Sequence, residues 1–239
     1  MPLAPLARKA LAEAIGTALL VAGVVGSGIA ASQLSPGDVG LQLLENTAAT
    51  VGVLVAIILA LGPVSGAHLN PVVTLADRWF GGLTTREVLA YLPAQAVGAC
   101  LGSAVANIMF DRRVLELSTT HRATGAHLVA EAVATFGLLL VIFGVVRSGR
   151  STAAPFAVGA YIGGAYFFTS STSFANPAVT IGRTLSNTFA GIAPTSAPGF
   201  IAAQLTGAAI AVACVAALYP HIRDVAGDAV LPHDRNEAA

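Results

Sequence analysis

The chain has 239 residues, of which 10% are charged and 55% apolar, with no net charge. Soluble globular domains carry roughly 25% charged residues, so this chain cannot clothe a soluble surface and a membrane is its expected solvent. No basic run points to nucleic acid. The apolar content excludes disorder, and the only cysteines, Cys100 and Cys214, form neither a disulfide framework nor a metal-ligand spacing.

In chain order, six apolar runs are long enough to cross a bilayer: Ala10–Ala31, Thr47–Val64, Val88–Phe110, Ala126–Val146, Ala153–Thr172 and Pro198–Tyr219. About 20 helical residues at about 1.5 Å each span a hydrocarbon core of about 30 Å. The runs are continuous rather than alternating, so they predict helices and not a β-barrel. The first run is too long for a signal-peptide core and carries Glu13. Two shorter pieces, His68–Ala76 and Phe174–Gly182, reach only about halfway across. Six spans put both termini on one side. That side carries Arg8, Lys9, Arg78, Arg86, Arg147, Arg150, Arg223 and Arg235, against Arg112, Arg113, Arg122 and Arg183 on the other, which predicts cytoplasmic termini.

The chain also repeats itself. Ala12–Thr17 matches Ala130–Thr135, Asn70–Thr74 matches Asn176–Thr180, and Ala94, Gln95, Gly98 and Ala99 match Ala203, Gln204, Gly207 and Ala208. Each half, about residues 8–110 and 126–220, holds three spans. An odd number makes the halves enter the membrane in opposite directions, related by a pseudo-two-fold axis in its plane. Residues 1–239 then form one membrane domain. Small residues at four-residue spacing, such as Gly98 with Gly102 and Gly159 with Gly163, predict close helix packing within one subunit.

Each short piece carries an Asn-Pro pair near its start. Asn is a favoured N-cap and Pro fits the first helical position. Asn70 and Asn176 are therefore expected to cap two half-helices, with Pro71, Val72, Pro177 and Ala178 in their first turns. Opposed repeats bring the two positive helix ends together near the bilayer middle, each with a side-chain amide donor. The non-helical residues before them, including Gly66, Ala67, His68, Thr172 and Phe174, must turn their carbonyls to water or to a cavity. This arrangement repels cations and passes neutral hydroxylated molecules. Glu13 and Glu131, each inside a span, need partners, because an intramembrane carboxylate costs about 2.5–3.5 kcal/mol on insertion scales.

These segments resemble the aquaporins and aquaglyceroporins, the major intrinsic proteins. The resemblance is carried by Ala12–Thr17, Ser65–Thr74 and Phe174–Ala178 and extends from about residue 8 to 220. It implies an all-α membrane protein of six transmembrane helices and two half-helices in an inverted repeat. It also implies a pore in each subunit of a homotetramer in the cell membrane. Glu13 and Glu131 should accept N–H groups from the loops before the half-helices. Expected solutes are glycerol, urea, undissociated metalloid acids such as arsenite, and water. No cofactor, metal or enzymatic activity is expected.

Two departures stand out. The first motif reads Asn70-Pro71-Val72 where the family usually has Ala third. Val179 stands where most members place the filter arginine, and the nearest arginine, Arg183, lies one helical turn further on. Carrying the remaining filter positions over by spacing gives Thr50, Gly164 and Ser173. Together with Val179 they predict a wide filter with no aromatic ring and no charge. The competing functions are an anion channel, favoured by the positive half-helix ends, and a secondary transporter, which also uses inverted repeats.

Overall fold

The computed structural model describes residues 4–222; their regular structure is all helix, with no strand among them. Eight helices follow one another: α1 (Pro5–Leu34), α2 (Val39–Ser65), α3 (Pro71–Phe80), α4 (Thr85–Met109), α5 (Gly125–Arg147), α6 (Ala154–Phe168), α7 (Pro177–Arg183) and α8 (Ala197–Leu218). A single 3-10 turn, Ser151–Ala153, leads into α6. Arg223 and Arg235, counted above toward the cytoplasmic side, lie outside the described residues. Arg183 ends α7 and is buried rather than sitting in a loop.

Local chemistry sets the helix starts. The Asp38 carboxylate accepts from Leu41 N at 2.9 Å. Thr84 and Glu87 form a reciprocal capping box at the head of α4. The Thr124 hydroxyl accepts from His127 N at 3.3 Å. Gly81, left-handed at φ 95°, ends α3.

Five helices are long and apolar enough to cross a membrane by length and composition: α1, α2, α4, α5 and α8. The expected span Ala153–Thr172 is cut short. Its helix, α6, has 15 residues and ends at Phe168. From Thr169 the chain is already non-helical and leads toward Asn176. Helix α6 and this stretch occupy the place of the sixth span. The half-helices begin at Pro71 and Pro177, as the Asn-Pro pairs predict, after the non-helical residues His68–Asn70 and Phe174–Asn176.

Packing follows the repeat. Helix α1 lies against α4 and α5 against α8, while α2 lies against α6. Glycines make the first two contacts close. A Cβ at Gly98 would strike Ala14 O, one at Gly102 would strike Ala18 O, and one at Gly207 would strike Ala132 O. The small-residue spacing thus serves helix pairs inside one chain, where lipid supplies no hydrophobic force between helices. Gly159 and Gly163 do the same for α6 against Val55 and Val51 of α2. The main apolar cluster between the helices runs from Leu20 to Val215 and Ile222, with two smaller ones around Tyr91 and around Phe200.

Because the Gly98 contact is with backbone, no rotamer change relieves it. Gly98→Val should lower stability by about 3 kcal/mol or more, the upper range for overpacked cores. Thermal unfolding of the detergent-solubilised protein measures this. Substituting the exposed Val97 with Ala should change it by less than about 0.5 kcal/mol.

Candidate functional site

Each half of the site is built around a buried carboxylate. Glu13, fully buried, accepts from Ser65 Oγ at 2.7 Å, His68 N at 3.0 Å, Leu69 N at 2.7 Å and Gln95 Nε2 at 2.8 Å. Glu131, equally buried, accepts from Ser171 Oγ at 2.6 Å, Phe174 N and Ala175 N at 2.9 Å, and Gln204 Nε2 at 2.6 Å. The two sets correspond residue for residue. Each glutamine also donates to a half-helix threonine, Gln95 to Thr74 at 3.0 Å and Gln204 to Thr180 at 2.9 Å. Each threonine in turn donates to the carbonyl of its own Asn, at 3.1 and 2.9 Å. Gln95 and Gln204 were visible as a repeat match, but only the folded chain reveals that they tie carboxylate to half-helix.

These donors hold the loops in an unusual backbone. Ala67 and Leu69 have φ of 47° and 52°, and Thr172, Ser173 and Ala175 have φ of 64°, 50° and 46°. L-residues rarely adopt this region, at a cost of about 1–3 kcal/mol each. It persists here because the Glu13 and Glu131 bonds fix the intervening peptides.

The two asparagines cap as the sequence predicts. Asn70 Oδ1 accepts from Val72 N at 3.1 Å, and Asn176 Oδ1 accepts from Ala178 N at 3.0 Å and Val179 N at 3.2 Å. Their amide ends cross the repeat boundary. Asn70 Nδ2 donates to Ala175 O and Asn176 Nδ2 donates to Leu69 O, both at 2.8 Å. Each Nδ2 carries two hydrogens, so one per residue remains for a passing molecule. Both asparagines line a cavity of 60 Å³, room for a short file of water-sized molecules. One wall is apolar, with Leu54, Ile58, Leu138, Ile142, Val158 and Ile162. The other carries the asparagines, Ala67, His68 and Phe174.

Of the expected filter, Thr50, Ser173 and Val179 line this cavity and Gly164 does not. Gly164 is exposed on the outer side of α6, with nothing within 4 Å of where its Cβ would stand. Ile162 and Tyr166 line the cavity from α6 instead, and the Tyr166 hydroxyl lies 3.3 Å from Thr50 Oγ1. The expectation of a filter without ring or charge is corrected as well. Tyr166, Phe174 and Arg183 all contribute to the lining. Arg183 donates its Nε–H to Ala190 O, and its guanidinium carbon lies 3.4 Å from the Phe174 ring centre.

The remaining expected pore residues divide. Thr172 lines a second cavity of 180 Å³, shared with Arg122 and Arg183. Gly66 lines neither; its N–H instead bonds Gly62 O at the end of α2. Pro71, Pro177 and Ala178 open the half-helices. Val72 faces a groove between α3 and α8, so its extra bulk falls outside the pore. His68 Nδ1 is 3.2 Å from Thr74 Oγ1, and its Nε2 is 3.5 Å from the buried Asp77 carboxylate.

The family model for major intrinsic proteins matches residues 3–174. The chain belongs to the major intrinsic protein family. Over 208 residues it is 50% identical to aquaglyceroporin AqpS of Rhizobium meliloti (strain 1021), covering 87% of this chain and 88% of that one. It is 30% identical over 216 residues to the probable aquaporin AqpM of Archaeoglobus fulgidus, covering 78% and 86% of the two chains. The X-ray structure of the aquaglyceroporin from Plasmodium falciparum superposes with a TM-score of 0.64 at 21% identity, over 91% of this chain and 98% of that one. That likeness bears on the fold. Six transmembrane segments and two half-helices in an inverted repeat are the architecture of this chain, a multi-pass membrane channel protein.

Replacing Asn176 by Leu removes two cap bonds and the bond to Leu69 O together. Loss of a cap costs about 0.5–2 kcal/mol even in water. Asn176→Leu should abolish either assembly or solute flux in proteoliposomes. Wild-type flux from a correctly folded Asn176→Leu protein would remove the motif from the mechanism.

Proposed function

We propose that the protein is a passive channel for small uncharged solutes: glycerol, urea, undissociated metalloid acids such as arsenite, and water. The observation that carries this reading is the pair Asn70 and Asn176, each with one amide hydrogen bonded across the repeat and one left over in the 60 Å³ cavity. Two donors between positive helix ends suit a hydroxyl or carbonyl oxygen and oppose cations. The 50% identity to a protein named an aquaglyceroporin supports the solute class.

The apolar wall complements this. A polyol or urea presents carbon or flat π-surface on one side and polar atoms on the other. Leu54, Ile142 and Ile162 face the first; the asparagines, His68 and the loop backbone face the second. Thr50, Tyr166, Ser173, Phe174 and Val179 form the filter in this reading, with Arg183 beside them. Transport is facilitated diffusion and needs no cofactor. The unit is one channel domain of two inverted halves, about residues 8–110 and 126–220. It assembles as a homotetramer in the cell membrane with both termini cytoplasmic.

Stopped-flow swelling of proteoliposomes under glycerol, urea, arsenite and water gradients tests the reading; electroneutral, non-saturating solute flux supports it, and flux no faster than in empty vesicles contradicts it. The filter is tested by Val179→Arg, which replaces methyl groups with a longer, charged side chain of five donors. It should lower the glycerol-to-water permeability ratio by about tenfold, equivalent to about 1.4 kcal/mol in barrier height. An unchanged ratio would exclude Val179 from the constriction.

A further inference from the structure

Two arginines converge beside the pore without a carboxylate to match them. Arg183 ends α7 and is 98% buried, at 2% relative exposure. Arg122 comes from the segment joining the two halves and is half-buried. Both guanidinium groups lie against one ring, their carbons 3.4 and 5.6 Å from the centre of Phe174. Both line the 180 Å³ cavity, and Arg183 also lines the central cavity. Among the described residues neither arginine has a carboxylate within ion-pair distance.

Their hydrogen bonds leave capacity. Arg122 donates Nε–H to Gly191 O at 2.8 Å and Nη2–H to Phe189 O at 3.0 Å. Arg183 donates Nε–H to Ala190 O. A guanidinium carries five N–H donors, and three of the pair's ten are placed on backbone carbonyls among the described residues. Glu131 is the carboxylate whose field reaches both arginines. Its oxygens already hold Ser171, Phe174, Ala175 and Gln204. Neither arginine therefore has a carboxylate of its own among the described residues.

We infer that Arg122 and Arg183 form a binding site for a small monovalent oxyanion, such as a carboxylate, at the mouth of the pore. Such an ion supplies the missing charge and accepts the fork of donors that a guanidinium presents in a plane. The cavity has three times the volume of the central one and takes the ion with some of its water. Arg183 is buried and Arg122 half-buried, both bonded to carbonyls of residues 189–191, which leaves a small ion rather than a chain-bearing lipid headgroup as the occupant. The inference goes beyond the channel reading and stands whether or not the pore conducts, so its test reads binding rather than flux.

The test is thermal unfolding of the whole protein in an uncharged detergent, with sodium formate replacing sodium chloride at constant ionic strength. Formate should raise the midpoint saturably by about 2–8 °C. In Arg122→Gln/Arg183→Gln the formate-dependent rise should vanish, whereas Arg112→Gln, whose side chain already bonds Glu116 and Asn187 on the surface, should keep it. Arg183→Lys keeps the charge but loses the planar fork, and should weaken formate by about tenfold. If the double variant does not fold, the wild-type titration and Arg183→Lys still decide. The inference is overturned by no saturable rise in the wild type, by an Arg183→Lys response equal to wild type, or by a formate rise that survives the double variant. In those cases the two arginines only fasten the loop carbonyls of residues 189–191.

Discussion

A carboxylate buried in a membrane protein without a cation beside it needs several strong donors, and Glu13 and Glu131 each recruit four. Two of each four are backbone N–H groups of a loop that cannot be helical, because the helix after it starts at an Asn-Pro pair. This exchange of needs organises the molecule. The loop supplies the charge with donors, and the charge holds residues such as Leu69 and Ala175 at positive φ. Without it, exposed peptide groups at membrane depth would each cost several kcal/mol.

From that anchoring the pore geometry follows. Fixing the loop before Pro71 places Leu69 O for Asn176, and fixing the loop before Pro177 places Ala175 O for Asn70. Each half thus completes the other, so neither half-helix is correctly placed alone. Gln95 and Gln204, from α4 and α8, bind carboxylate and half-helix threonine at once and set the depth of each half-helix. The glycines that let α1 meet α4 and α5 meet α8 bring those glutamines within reach. Helix packing, loop backbone and pore donors are one connected system. The groove beside Val72 and the surface leucines lie outside this system.

Much of this could be read from residues alone. Apolar run length gave five of the six spans at full length, the Asn-Pro pairs gave the half-helices, and the matched glutamates announced a symmetric role. What failed depended on register. Counting back from Asn176 placed Gly164 in the filter, but counting assumes how many residues the loop consumes. Helix α6 stops at Phe168, and the left-handed residues Thr172, Ser173 and Ala175 reset the chain direction, so Ile162 and Tyr166 face inward instead. Arg183 was seen as one turn beyond Val179, which is correct for a helix. What no spacing revealed is that the Phe174 ring and the Ala190 carbonyl turn its side chain toward the pore. Arg122 was counted only as a loop charge, since its contacts are with residues about 70 positions away. Long-range contacts of this kind leave no periodic trace.

The central claim is that each buried glutamate holds its own pore loop. Hydrogen exchange at individual segments tests it most directly, comparing Glu131→Gln with the wild type. The glutamine amide can accept at one oxygen only, so protection of the Phe174 and Ala175 amides should fall by about tenfold or more, a loss of about 1.4 kcal/mol. The amides of His68 and Leu69, held by Glu13, should fall less. Unchanged protection at Phe174 and Ala175 in a folded Glu131→Gln protein would contradict the account.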